Sequence, residues 1–143
     1  MKILGKLTAK QRVNLPLYND MVAAGFPSPA QDYVEKSLDL NDLLIKSPPS
    51  TYLVRVEGES MVDVGIYPND LLIVDRSVEA QHGHIVIACL NGEMTVKQLS
   101  LKPKMQLIAH NPNYPNLAIR GEDEFELFGV VVHAIRDLTK PLP

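Results

Sequence analysis

I-V-I-A-C-L (Ile85 to Leu90), N-G (Asn91 and Gly92) and E-M-T-V-K-Q-L (Glu93 to Leu99) are the stretches whose reading decides the fold. The first is apolar at every position, as a strand covered on both faces would be. An Asn-Gly pair is the strongest short hairpin signal, so the flanking runs read as neighbouring antiparallel strands. Further strand-like runs lie outward of this hairpin at Tyr52–Val56, Leu71–Val74, Met105–Ala109 and Glu126–Arg136. Turn-forming stretches such as Tyr67-Pro68-Asn69-Asp70 and Asn111-Pro112-Asn113-Tyr114-Pro115 separate them. The expected fold class is mostly β, a compact, twisted, chiefly antiparallel domain over residues 51–143. Residues 25–50 read as a linker with one short helix, in which Asp39 precedes Leu40, Leu43 and Leu44. Ser47-Pro48-Pro49-Ser50 ends that helix, because proline lacks the N–H and clashes with the preceding turn. Residues 1–24 hold too few apolar side chains for a packed domain and read as a mobile N-terminal arm.

Two residues in this frame suggest chemistry. Ser60 follows the run around Val54 in V-R-V-E-G-E-S-M, and Lys97 lies 37 positions later in the hairpin's second strand. A serine hydroxyl attacks well only when a base takes its proton, and a neutral lysine can be that base. Keeping a lysine neutral at pH 7 against an ordinary pKa of about 10.4 costs roughly 4 to 5 kcal/mol. Burial among apolar neighbours can supply a shift of that order, because it disfavours the ammonium. Val96, Met94, Leu99 and the adjoining apolar strand provide such neighbours. Taken singly, a strand lysine is most often a solvated outer-face residue, and a serine near Gly58 is ordinary turn chemistry. Position 62 is Val62, so the G-x-S-x-G elbow of α/β-hydrolases is missing.

The pattern as a whole is more specific. Glu57 to Asp75 (E-G-E-S-M-V-D-V-G-I-Y-P-N-D-L-L-I-V-D), then H-G-H-I-V-I-A (His82 to Ala88) and T-V-K-Q-L (Thr95 to Leu99), resembles the self-cleaving domain shared by LexA-type repressors and UmuD-type mutagenesis proteins. The likeness runs from about Ala24 onward. It implies a serine nucleophile at Ser60, a general-base lysine at Lys97, and a scissile bond in the chain's own N-terminal arm. Backbone N–H groups of Ser60 and Met61 would serve the oxyanion.

Val22-Ala23-Ala24-Gly25 resembles the family's cleavage region, which makes Ala24-Gly25 the expected bond. Glycine after a small residue lets a nucleophile approach the backbone closely. From the residues alone a second reading stands, in which Gly25 caps the end of a short helix. Residues 25 to 60 span at most about 115 Å at roughly 3.3 Å per residue, so reach restricts the cut neither to one subunit nor to a partner. Only 24 residues precede Gly25, fewer than a helix-turn-helix module needs, so the resemblance is to the UmuD type and not to the repressors.

That likeness implies partners and a setting. A RecA filament on single-stranded DNA would stimulate the cut in the SOS response, and the shortened homodimer would join a UmuC-type Y-family polymerase for error-prone synthesis past lesions. Lys2, Lys6, Lys10 and Arg12 against Asp20 give residues 1–24 a charge of +3, leaving −6 for residues 25–143 of a chain whose net charge is −3. An acidic product is expected to contact proteins, with little or no direct DNA binding. A non-catalytic polymerase- or filament-binding protein is the alternative class; a repressor fragment fits less well with the acidic body.

With 143 residues, 45% of them hydrophobic, the chain can bury one core. It shows no signal peptide and no 18-residue apolar run, so a cytoplasmic protein is expected and a membrane-anchored signal peptidase is not. Cys89 is the single cysteine, which excludes an internal disulfide, and in its apolar run it reads as a buried inert thiol. His82 and His84 flank Gly83 without the further ligands a zinc set needs, and read as turn residues. No metal or cofactor is implied, and the sequence identifies no partner for His110 or His133.

Overall fold

The structure, a computed structural model, describes residues 2–6, 12–18 and 34–141. It divides into two compact units, one formed by Met1–Leu7 with Ser47–Pro143 and the other by Thr8–Lys46. In chain order the elements are β1 (Lys2–Lys6), β2 (Asn14–Tyr18), β3 (Val34–Asp39), α1 (Leu40–Leu44), β4 (Thr51–Arg55), β5 (Leu71–Asp75), β6 (Ile85–Leu90), β7 (Glu93–Ser100), β8 (Gln106–Ile108), β9 (Leu117–Ala118) and β10 (Phe125–Ile135). Single 3-10 turns occur at Pro48–Ser50 and Val62–Val64.

The larger unit is one eight-stranded sheet in the order β1-β4-β5-β10-β6-β7-β8-β9. Every neighbouring pair is antiparallel. The β6–β7 hairpin turns on Asn91 (φ 51°) and Gly92 (φ 85°), the two left-handed residues that a tight hairpin matched to strand twist requires. Strand β6 is covered on both faces, since Ile87 joins a cluster with Val54, Leu72, Val74 and Val96, while Val86 and Ala88 join Leu99, Leu107 and Val130. Val54, Leu72, Val74, Val86 and Ile87 are fully buried, each worth about 1.5–3 kcal/mol against exposure. Alternation along β6 therefore feeds two apolar layers, which is why its sequence carries no polar residue.

Strand β10 crosses the middle of the sheet with irregularities between Leu127 and Gly129 and between Val131 and His133. Gly129 is fixed by packing: a Cβ there would stand 2.7 Å from Val74 Cγ1 and 3.2 Å from Arg76 Cγ.

The smaller unit pairs β2 with β3 as an antiparallel two-stranded sheet and continues directly into α1. Asp39 is the helix N-cap. Its buried carboxylate accepts Asn41 N–H at 2.9 Å and Val13 N–H at 3.2 Å, and these donors, Asn41 first, hold it below its ordinary pKa.

The six strand-like runs of residues 51–143 all form, within one or two residues of the expected bounds, as does the short helix after Asp39. Four strands have no clear signature. In N-L-P-L-Y the proline argues against a strand, yet Pro16 is tolerated because both strands of a two-stranded sheet are edges. Strand β1 is five residues with an interior glycine, and β9 is two residues long. Strand β3 lies in the stretch read as linker.

Candidate active site

The loop from Val56 to Asp70 carries Ser60, and Lys97 sits mid-way along β7. Register pairs Lys97 with Val86 and Thr95 with Ala88. Residues two apart on a strand share a face, so Thr95 and Lys97 stand side by side. Lys97 is 6% exposed, and its Nζ lies 3.1 Å from Ser60 Oγ and in hydrogen-bond contact with Thr95 Oγ1. Among the described residues its hydrogen-bond partners are these two hydroxyls, with no carboxylate pairing it. Burial then acts unopposed and pushes the Lys97 amine below its ordinary pKa. As an ammonium it donates to both oxygens. As an amine it offers a lone pair that the Ser60 O–H can reach at the same separation.

Several contacts fix the serine end. His110 N–H donates to Ser60 O at 2.7 Å, and Asp63 N–H donates to His110 O at 2.9 Å. Asn111 Nδ2 donates to Glu59 O at 2.8 Å. Gln98 uses its amide nitrogen on Gly83 O at 3.0 Å, so its carbonyl oxygen accepts from His110 Nε2 at 2.7 Å. The residue next to the lysine is thus tied through His110 to the serine's backbone. At the far end of the loop, Gly65 takes φ 86° to close the 3-10 turn, and its carbonyl accepts from Arg136 at 2.6 Å. Arg136 also binds the 1%-exposed Asp70 through Nε–Oδ1 at 2.8 Å and a second nitrogen to Oδ2 at 3.0 Å. Asp70 accepts Tyr67 N–H as well, at 2.9 Å.

Among the described residues, neither the Ser60 nor the Met61 backbone N–H donates to a protein acceptor. Beside the pair opens a cavity of about 510 Å³, lined by Met94, Thr95, Lys97, Tyr114, Pro115 and Leu117 among others. A rigid Ser–Lys pair, open backbone donors and an adjoining partly apolar groove together suit attack on a peptide carbonyl.

Ser60 and Lys97 are thus together, while Ala24 and Gly25 lie outside the described residues. Sequence reading missed Thr95, Gln98, His110 and Asn111. Thr95, at i, i+2 from Lys97, and Gln98, directly after it, lie in the lysine's own strand; His110 and Asn111 become neighbours of the dyad through the β7–β8 pairing and the loop that follows. His82 and His84 accept backbone N–H groups at Nδ1, from Leu101 at 2.9 Å and Gln81 at 3.1 Å, which is turn chemistry. Among the described residues no group of three or more His, Cys, Asp or Glu side chains is placed to hold a metal ion. Cys89 is free but half-buried, not buried as expected, because it nears the hairpin end of β6. No helix among the described residues is long and apolar enough to cross a membrane.

The family model for peptidase S24-like proteins matches residues 16–132. This chain belongs to the peptidase S24-like family. It is 43% identical over 123 residues to the MucA protein of Salmonella typhimurium, which covers 85% of this chain and 84% of that one. It is 47% identical over 116 residues to the SamA protein of S. typhimurium strain LT2, covering 81% of each. The LexA repressor of Paraburkholderia xenovorans is 42% identical over 127 residues, but these are 87% of this chain and 58% of the repressor. Within the S24 family the chain is an SOS mutagenesis protein of the UmuD type.

Proposed function

We propose that Ser60 and Lys97 form a nucleophile and general-base dyad that cuts the chain's own Ala24-Gly25 bond, separating an arm of residues 1–24 from a body of residues 25–143. The observation that carries this reading is the buried Lys97 amine, 3.1 Å from Ser60 Oγ and, among the described residues, with no carboxylate paired to it. In the acylation step Ser60 Oγ bonds to the Ala24 carbonyl carbon as its proton passes to Lys97 Nζ. The oxyanion is met by the N–H groups of Ser60 and Met61. The C–N bond then breaks, Lys97 gives its proton to the Gly25 nitrogen, and water hydrolyses the acyl-serine with Lys97 again as base. Thr95 keeps the amine aimed throughout.

In the cell the cut follows DNA damage, stimulated by a RecA filament on single-stranded DNA. The acidic body then acts in the cytoplasm as a homodimer, the accessory subunit of a UmuC-type Y-family polymerase in translesion synthesis. A C2 dimer is the commonest symmetric assembly and suits this role.

Intact-mass measurement of the purified chain, with and without RecA, an ATP analogue and single-stranded DNA, tests the reading. A new species beginning at Gly25 is expected, missing from both Ser60→Ala and Lys97→Ala. Normal cutting by either variant, or an uncut wild-type chain under every condition, would overturn it.

A further inference from the structure

The arm is not merely cargo for the active site. Strand β1, inside the segment proposed to be cut away, is an edge strand of the main sheet, with Lys2 opposite Arg55, Ile3 opposite Val54, Gly5 opposite Leu53 and Lys6 opposite Tyr52. On the other side of β4, Arg76 N–H donates to Ser50 O, Val56 N–H to Asp70 O, and Asn69 N–H to Val56 O, each at 2.9 Å. The even-numbered residues therefore turn their backbone groups toward β5. By alternation those of Leu53 and Arg55 turn toward β1. Take β1 away and β4 becomes an edge whose N–H and C=O groups at Leu53 and Arg55 have no strand beside them.

We propose that this edge is a strand-docking site, occupied by β1 in the intact chain and opened by self-cleavage to an extended, lysine-flanked aliphatic segment of a partner protein. The proposal rests on the cleavage reading above. Strand β1 shows what the seat accepts: Lys2-Ile3-Leu4-Gly5-Lys6, antiparallel, with an irregularity between Ile3 and Gly5. Long-range charge points the same way, since a segment with a lysine at each end approaches a body of net −6, while the local pairing of Lys2 with Arg55 adds nothing to it.

Why the cut opens the seat is a matter of effective concentration. While the chain is intact, β1 is tethered near its seat at roughly millimolar effective concentration. After the cut, residues 1–24 keep β1 on β4 by strand pairing, and β2 on β3 by strand pairing together with the Val13 N–H bond to Asp39 and an exposed Arg12–Asp42 ion pair. The apolar side chains described in that fragment are each only partly buried: Ile3 is 36% exposed, Leu15 43% and Val13 53%. Five-residue strands with partly exposed apolar side chains bind weakly once untethered, so at micromolar protein the fragment leaves and backbone-directed strand addition becomes available.

The test uses the full chain carrying Ser60→Ala and a recognition site for an exogenous protease in place of Ala24-Gly25. The edge is thereby examined whether or not the chain cuts itself, and wild-type self-cleavage is scored separately. Amide hydrogen exchange is followed at Leu53 and Arg55, with Val54, which faces β5, as internal control. We expect slow exchange before cutting and acceleration by roughly tenfold or more at Leu53 and Arg55 afterwards at micromolar protein, with Val54 unchanged. A synthetic peptide of residues 1–8 at millimolar concentration should restore protection, and the same peptide N-methylated at Gly5 should not. Fast exchange at Leu53 and Arg55 in the intact chain, unchanged protection after the cut, or no effect of the peptide would each overturn the proposal. So would protection that returns with rising concentration of the body after residues 1–24 have been separated from it, which would give the edge to a second copy.

Discussion

Thr95→Val is the sharpest probe of the dyad, because it keeps the side chain's shape and deletes only the oxygen that Lys97 Nζ contacts. In the cleavage-competent form the amine is neutral, and that hydrogen bond contributes about 0.5–1.5 kcal/mol; once Lys97 has taken the serine proton the bond is to a charged group and contributes about 1.5–3 kcal/mol. The difference, about 1–1.5 kcal/mol, belongs to the transition state and corresponds to a rate loss of about tenfold. The same loss makes the ammonium less favourable, so the Lys97 pKa, already lowered by burial, falls further. Self-cleavage requires the amine, so in the wild-type chain the rate rises with pH up to the lysine's pKa and then levels. In the variant the plateau drops about tenfold and the inflection moves to lower pH by the matching factor. The two profiles then converge on the acid side, where the larger amine fraction offsets the weaker transition state. The assay is the rate of appearance of residues 25–143 by intact mass, without filament, from about pH 7 to about pH 11, a range chosen to span the ordinary lysine value. Thr95→Ser should restore the wild-type profile. A Thr95→Val profile superimposable on wild type, or one lowered equally at every pH, would refute the reasoning.

Three further outcomes follow from the same geometry. Lys97→Met should abolish cutting yet raise stability at neutral pH by about 1–3 kcal/mol, by removing a buried polar group. The wild-type deficit is full below the lysine's lowered native pKa, where the amine is protonated in both states. It shrinks as pH climbs toward about 10.4, because the unfolded chain then binds more protons than the native one. Urea unfolding of both proteins across pH checks magnitude and sign. Gly129→Ala should cost about 1–3 kcal/mol, since the new methyl would stand 2.7 Å from Val74 Cγ1, whereas Gly121→Ala, with nothing within 4 Å, should be near neutral by the same measurement. Asn111→Ala deletes the 2.8 Å bond to Glu59 O and should slow cutting by up to about tenfold with little change in urea midpoint.

Much of this protein is legible in one dimension. Alternation, an unbroken apolar run at Ile85–Leu90 and the Asn91-Gly92 turn specify the strands of the body, because side-chain period and turn geometry are local properties. The Ser60 and Lys97 motifs are equally local, each defined by its immediate neighbours. Asp39 ahead of Leu40 marks a helix start for the same reason, a side chain capping an N–H two residues on. What only the tertiary structure decides is everything that depends on distant segments meeting. The sheet order β1-β4-β5-β10-β6-β7-β8-β9 places the last long strand in the middle, which no stretch of sequence announces. The burial of Lys97, which turns an ordinary lysine into a base, is set by what packs around β7 and not by β7 alone. The bracing of Ser60 by His110 and Asn111 crosses about fifty residues of chain, 52 in the case of Asn111 and Glu59. The seating of β1 on β4 is likewise invisible in K-I-L-G-K, because an edge strand's pairing is a property of the edge it meets.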